Sequence, residues 1–362
     1  MREKCVARDT GGTRCAERRK AARPLGRVFE KVALSVQEQF IRNAGFGTKK
    51  VLVLAGPTGA GKTAFSLKLA EALGAEIISA DSMQVYRGMD IGTAKATKEE
   101  RARITHHLID IRDIHEPFNV KDFYEEAMSA CRDILNRGRT PIIVGGTGFY
   151  LHALLYGPPS GPQGDPHVRA MLEEEEKRFG LELLFEKLAA LDPDYAKTIS
   201  QNDRHKILRA LEIIELSGKR VSSFAWKSRK PSAFFDWRCW FLYWPREMLY
   251  QRLERRCEEM LKFGLLEEVV NLDRLGIRKN RTASQAIGYR QTLDFLDSAK
   301  TPQDYEIYVD NLKKASRHLA KRQFTWFRKE PAFRWFDLSQ HTPEETVDYI
   351  LKDFESEGTL EY

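Results

Sequence analysis

The chain has 362 residues, 42% of them apolar and 10% aromatic, which is ample for a large core and excludes a disordered polypeptide. No apolar run reaches the roughly 20 residues that cross a bilayer, and the basic N-terminus lacks the apolar stretch of a secretory signal, so a cytoplasmic protein is expected. The net charge of +7 divides unevenly: residues 1–50 hold 13 Lys and Arg against 5 Asp and Glu, leaving 46 against 47 beyond them. Nucleic-acid binding by the body must therefore come from how its cations are placed.

Residues 1–48 carry glycine-rich breaks and scattered arginines and are expected to form a basic, disordered extension. From Lys50 the pattern alternates. Val51–Ala55 reads as a buried strand, Thr63–Leu73 as a helix stopped by Gly74, and Glu76–Ala80 as a second strand. A helix over Val120–Arg137 ends at Gly138, and Pro141–Val144 is a further strand running into Gly145-Gly146-Thr147-Gly148. This order predicts an α/β fold, a parallel sheet flanked by helices, with function gathered at the carboxyl ends of the strands.

The Pro- and Gly-rich run from Gly157 to Pro166 is a linker, and residues 165–224 beyond it are helical in pattern, an expected inserted domain. Cys239–Tyr243 reads as a strand returning to the sheet, and Pro245 as the first position of a helix carrying Leu249, Leu253, Cys257 and Met260. The rest is helical to about Lys329. The expected division is thus 49–164 with 225–336 as catalytic core, 165–224 as insertion, and 337–362 as a C-terminal tail. Cys5, Cys15, Cys131, Cys239 and Cys257 form no C-x-x-C pair and read as reduced structural thiols.

Gly56-Pro57-Thr58-Gly59-Ala60-Gly61-Lys62-Thr63 matches the P-loop pattern in its required place between strand and helix. Backbone N–H groups and the helix N-terminus attract polyphosphate, Lys62 adds a point charge, and the Thr63 hydroxyl is a candidate Mg²⁺ ligand. A Walker B strand is represented only by Leu108-Ile109-Asp110, after His106-His107. Asp81, at the expected end of the second strand, suits a general base, an outer Mg²⁺ ligand, or equally a turn-capping aspartate.

Two helices carry organised positive charge. In Asp203–Ser217, Ile207, Leu211 and Ile214 form the buried stripe, while His205, Lys206 and Arg209 share another sector. Near the C-terminus Lys314, Arg317, Lys321 and Arg328 form a stripe with Phe324 between them, a pattern suited to RNA as well as to plain solvation. The aromatic run from Trp226 to Trp244 reads as core.

Taken together, Gly56-Pro-Thr-x-x-Gly-Lys-Thr63, Ser79-Ala-Asp81-Ser-x-Gln-Val-Tyr86, Gly88-Met-Asp-Ile-Gly-Thr-Ala-Lys95, Val144-Gly-Gly-Thr-Gly-x-Tyr150, Arg209-Ala-Leu-Glu212, Gly288-Tyr-Arg-Gln291 and Leu319-Ala-Lys-Arg-Gln-x-Thr-Trp326 resemble the bacterial tRNA dimethylallyltransferases from about Lys49 to Trp335. The resemblance implies transfer of a dimethylallyl group from dimethylallyl diphosphate to the exocyclic amine of the adenosine 3′ of a tRNA anticodon, with Mg²⁺. It implies Asp81 as general base, Thr147 and Arg169 about the reacting nucleotide, and Arg290 with the P-loop on the diphosphate. It implies tRNA contacts at Asp81, Ser82, Met83 and Gln84, at Thr147 and Arg169, and at His205, Lys206, Ile207, Leu208 and Arg209. Further contacts are implied at Gln285, Ala286, Ile287, Gly288, Tyr289 and Arg290, and at Arg317, Lys321 and Arg322. A monomer suffices for such a site. The alternatives are an adenylate isopentenyltransferase using free AMP, a P-loop small-molecule kinase, and a nucleotide-gated RNA-binding protein without catalysis.

Overall fold

A computed structural model describes residues 49–224, 231–232 and 234–356. The expected disorder of residues 1–48, together with Cys5, Cys15 and Trp226, lies outside the described residues.

The strands are β1 (Lys50–Ala55), β2 (Glu76–Ser79), β3 (His106–His107), β4 (Pro141–Gly145), β5 (Asp236–Tyr243) and β6 (Arg334–Asp337). They form one sheet in the order β3-β2-β4-β1-β5-β6, with every pairing parallel. Because both faces are covered, β1 is apolar from Val51 to Ala55. Val51, Val53 and Ala55 enter one core, and Leu52 and Leu54 the other. The helices of the first half are α1 (Lys62–Leu73), α2 (Lys98–Arg103), α3 (Val120–Asn136) and α4 (Gly148–Tyr156). Helix α1 stops where Gly74 turns left-handed at φ 57°.

Helices α5 (Pro166–Leu191, broken at Gly180), α6 (Pro193–Ala196) and α7 (Arg204–Ser217) enclose a separate small core of Leu172, Leu184, Leu188, Ile207, Leu208 and Leu211. The second half continues with α8 (Arg246–Lys262), α9 (Leu265–Arg274), α10 (Tyr289–Leu296), α11 (Pro302–Phe327) and α12 (Pro343–Glu355). Pro245 is the N-cap of α8 rather than its first residue. Among the described residues no helix is long and apolar enough to cross a membrane.

Two expectations change. The segment from 337 is no tail: Leu338, Ile350 and Phe354 join the core beneath α1. There the buried Asp353 carboxylate accepts from Trp240 Nε1 (3.1 Å), Arg238 Nη1 (3.4 Å) and Arg334. Residues 357–362 lie outside the described residues. Second, the Walker B candidate is not a strand. Pairing ends at His107, the backbone turns with φ 62° at Leu108 and 55° at Asp110, and the Asp110 carboxylate accepts from Lys95 and Arg101, each at 2.6 Å. Strands β1 and β2 are not neighbours, because β4 lies between them.

Candidate active site

The P-loop leaves β1 through Gly56 and turns left-handed at Gly59 (φ 81°) and Gly61 (φ 90°), where any side chain would be strained. It is braced from several sides. Trp244 Nε1 donates to the Ala60 carbonyl (3.1 Å), Arg252 Nε to that of Gly59 (3.0 Å), and Lys62 Nζ to those of Gly56 (3.0 Å) and Pro57 (2.9 Å). Gln323 on α11 accepts from the Thr58 N–H (2.9 Å).

Between the P-loop and Asp81 runs the end of β4, and its glycines allow the approach. A Cβ on Gly145 would lie 2.2 Å from the Ala80 carbonyl oxygen; one on Gly146 would lie 3.0 Å from that of Gly56. Gly148 lets Trp326 pack against the start of α4, where an added Cβ would meet Cδ1 at 2.2 Å. Beyond β2, Asp81 Oδ1 accepts from the Met83 N–H (2.8 Å), so the turn expected of a capping aspartate is formed. Its charge faces Lys62 and Arg256. Thr147 Oγ1 accepts from the Ser82 N–H (3.3 Å), which leaves its own hydroxyl proton to donate. Ser79 Oγ donates to Gln84 (2.7 Å).

These parts line one cavity of about 580 Å³. Its wall includes Thr58, Gly59, Gly61, Lys62 and Thr63 of the P-loop, Asp81–Gln84, Thr147, Gln285–Ile287, Arg322 and Gln323. Apolar side chains of Leu253, Met260, Leu312 and Leu319 close another side. Burial most of all, and then the neighbouring Arg256, lower the Lys62 pKa to about 8 against the pull of Asp81. Burial likewise lowers that of Arg256, with Asp81 opposing. Two desolvated cations and one carboxylate make a cavity suited to an anion that carries more than one charge.

Arg256 was missed in the sequence. The only available signal was its position on α8, three residues after Leu253 and beside Cys257, on the edge of the buried stripe. Gln323 and the brace from Arg252 were missed as well.

Other expected site residues fall elsewhere. Arg290 is exposed on α10 and does not line the cavity, whereas Arg256 does. Tyr289 is fully buried and donates to Glu268 (2.6 Å), and Gly288 is a buried turn at φ 93°. Ile207 and Leu208 are core residues of the helical insertion and have no surface to offer RNA. His205 and Lys206 are exposed. Arg169 is outside the cavity wall: its Nη2 (2.7 Å) and Arg209 Nη1 (2.8 Å) both meet Oε2 of the buried Glu212. On α11, Arg317 is paired with Glu254 (2.9 Å) while Lys321 is exposed. Phe324 is half-buried and packs among Phe241, Tyr243 and Trp335 at 5.7–6.1 Å between centroids. Cys131, Cys239 and Cys257 are free and buried.

The model for the IPP transferase family matches residues 84–330. The tRNA dimethylallyltransferase of Protochlamydia amoebophila is 58% identical over 331 residues, spanning 91% of this chain and 96% of its own. The chain belongs to the tRNA dimethylallyltransferase family. It is a transferase. The Chlamydia pneumoniae tRNA dimethylallyltransferase is 46% identical over 89% of this chain and 94% of its own. Among solved structures, the Bacillus halodurans tRNA isopentenylpyrophosphate transferase is 39% identical, with a TM-score of 0.61 over 85% of this chain and 97% of its own. A eukaryotic dimethylallyltransferase acting on tRNA is 30% identical, with a TM-score of 0.71 over 86% and 82%. The family model begins at Gln84, whereas the 331-residue match to the Protochlamydia amoebophila protein takes in the P-loop and Asp81 as well.

Proposed function

We propose that this chain transfers a dimethylallyl group from dimethylallyl diphosphate to the exocyclic amine of the adenosine 3′-adjacent to the anticodon of tRNAs. The products are N6-isopentenyladenosine and diphosphate. The observation that carries the reading is the cavity in which Asp81 faces Lys62 and Arg256 beside the P-loop. The P-loop amides, Lys62 and Arg256 bind the diphosphate. The carbon–oxygen bond to that diphosphate breaks, the adenine nitrogen bonds the freed allylic carbon, and Asp81 takes the proton the nitrogen gives up. The apolar wall suits the five-carbon group, and Thr147 donates towards the nucleotide.

Mg²⁺ fits the site: Thr63 offers one hydroxyl, a sparse set suited to an ion held mainly by phosphate oxygens and water. When bound, the ion supplies charge neutralisation on the leaving diphosphate. An anticodon base can reach the cavity because a loop nucleotide flips out at modest cost. Arg322 at the cavity and the Arg169–Arg209 pair on the insertion supply phosphate contacts. The reaction is complete within a cytoplasmic monomer.

The test offers labelled dimethylallyl diphosphate and Mg²⁺ with either an anticodon stem-loop RNA or free AMP. Label in the RNA alone is expected. Label in AMP alone transfers the protein to the adenylate-directed class, and label in neither overturns prenyl transfer.

A further inference from the structure

We infer that Gln323 is a positioning residue for the transfer, its carboxamide holding the leaving diphosphate in register with Asp81. The inference rests on the function proposed above.

The need for such a residue follows from the sheet order. The P-loop extends from β1 and Asp81 from β2, and β4 separates them. Gln323 closes that gap from α11. Its Oε1 accepts from the Thr58 N–H (2.9 Å), and its Nε2 donates to the Gly146 carbonyl (3.0 Å). One planar group thus ties the loop that binds the leaving group to the turn at the end of β4. From Gly146 the backbone passes directly to Thr147, whose hydroxyl oxygen accepts from the N–H of Ser82, next to Asp81 (3.3 Å).

The fit is close. A Cβ on Gly146 would lie 2.3 Å from Gln323 Nε2 and 3.0 Å from the Gly56 carbonyl oxygen, so a side chain there would displace the carboxamide. Bridging an N–H to a carbonyl needs one acceptor and one donor at a fixed spacing. Glutamate keeps the acceptor and loses the donor; methionine keeps the length and loses both strong bonds. Gln323 also lines the cavity itself, so loosening it moves the reacting groups rather than a distant support.

If the register slips, the allylic carbon still separates from diphosphate but finds the amine misplaced. Water then attacks that carbon, loses a proton to solvent, and gives dimethylallyl alcohol and diphosphate.

The experiment compares Gln323→Met and Gln323→Glu with the unaltered chain, using stem-loop RNA and dimethylallyl diphosphate. Diphosphate released and RNA prenylated are counted together with kcat and both KM values. For Gln323→Met we expect kcat to fall by about tenfold or more, since small misplacements of reacting groups are costly. We expect the KM for RNA to stay within about twofold, since Gln323 makes no phosphate contact in this account. Diphosphate is expected to exceed prenylated RNA. Gln323→Glu is expected to fall short of the unaltered chain by the same signature. A fall in activity with one diphosphate per prenylated RNA is what a smaller folded fraction produces, and it overturns the inference, as do unchanged kinetics. Failure of the unaltered chain to prenylate RNA would instead remove the function on which the inference rests.

Discussion

Lys62 and Asp81 line one cavity and attract each other across it, yet the Lys62 ammonium is held at a pKa of about 8. Burial lowers it most and the Arg256 charge lowers it further, while Asp81 only partly restores it. A depressed lysine pKa means that the cation is present below that pH and lost as the pH rises through it. Affinity for diphosphate should therefore be retained on the acid side and lost on the alkaline side. We expect kcat/KM for dimethylallyl diphosphate to fall as pH climbs through about 8. The fall should vanish in Lys62→Arg, whose guanidinium stays charged there. A profile that stays flat through that range contradicts this role.

Glu212 should matter to RNA and not to diphosphate. It is buried and holds Arg169 and Arg209 on one oxygen, while its other oxygen accepts from the Asp165 N–H (2.9 Å). In Glu212→Gln the two guanidiniums lose their shared charge partner and their orientation. We expect stem-loop affinity to fall by about tenfold, within the usual range for losing a charge-assisted pair. The KM for dimethylallyl diphosphate should be unchanged. Filter binding of the RNA across a salt series checks it.

Gly145→Ala should destabilise the fold as well as the site. The new methyl would lie 2.2 Å from the backbone oxygen of Ala80, which a side-chain rotation cannot relieve. Overpacking of this kind costs about 1–3 kcal/mol. Urea unfolding of the variant should show a lower midpoint with an unchanged slope.

The C-terminal segment should be indispensable. Asp353 is fully buried beneath Trp240, Arg238 and Arg334, so Asp353→Ala takes the carboxylate from half-buried Arg334, leaves the Trp240 N–H unpaired and leaves Arg238 with Asp236 alone. A loss of about 1–3 kcal/mol is expected, as for removing one partner of buried hydrogen bonds. Thermal melting measures it; a variant as stable as the parent would mean that α12 docks on apolar contacts alone.

How much of this was legible beforehand depends on the range of the interaction. The P-loop was legible because glycines at fixed spacing, a preceding apolar strand and a following helix are all local. The same holds for the helix stops at Gly74 and Gly138, both left-handed. Asp81 was legible as a residue and ambiguous as a role, because a turn aspartate and a base look alike until Lys62 and Arg256 are seen beside it. Strand order was not legible: β4 inserts between β2 and β1 through pairings that no local pattern encodes. Arg256 and Gln323 were overlooked for that reason, each sitting on an ordinary amphipathic helix and meaning something only across the cavity. The tail was misread because β6 is four residues long and flanked by charge, and its partner Asp353 reads as an exposed helix residue until Trp240 and Arg238 are found beneath it. Phe324, an aromatic between basic residues, left RNA binding and solvation both open, and its packing on Phe241, Tyr243 and Trp335 is long-range and could not be read locally.

The central claim is that Asp81 takes the proton from the attacking amine, and single-turnover prenylation of pre-bound stem-loop RNA by Asp81→Ala tests it most directly. Removing a positioned general base costs about 10²–10⁴-fold in rate. We predict a loss of that order in the rate on bound RNA, with RNA affinity nearly unchanged. A variant that binds RNA poorly yet prenylates the bound fraction at the normal rate would contradict the assignment and make Asp81 a binding residue.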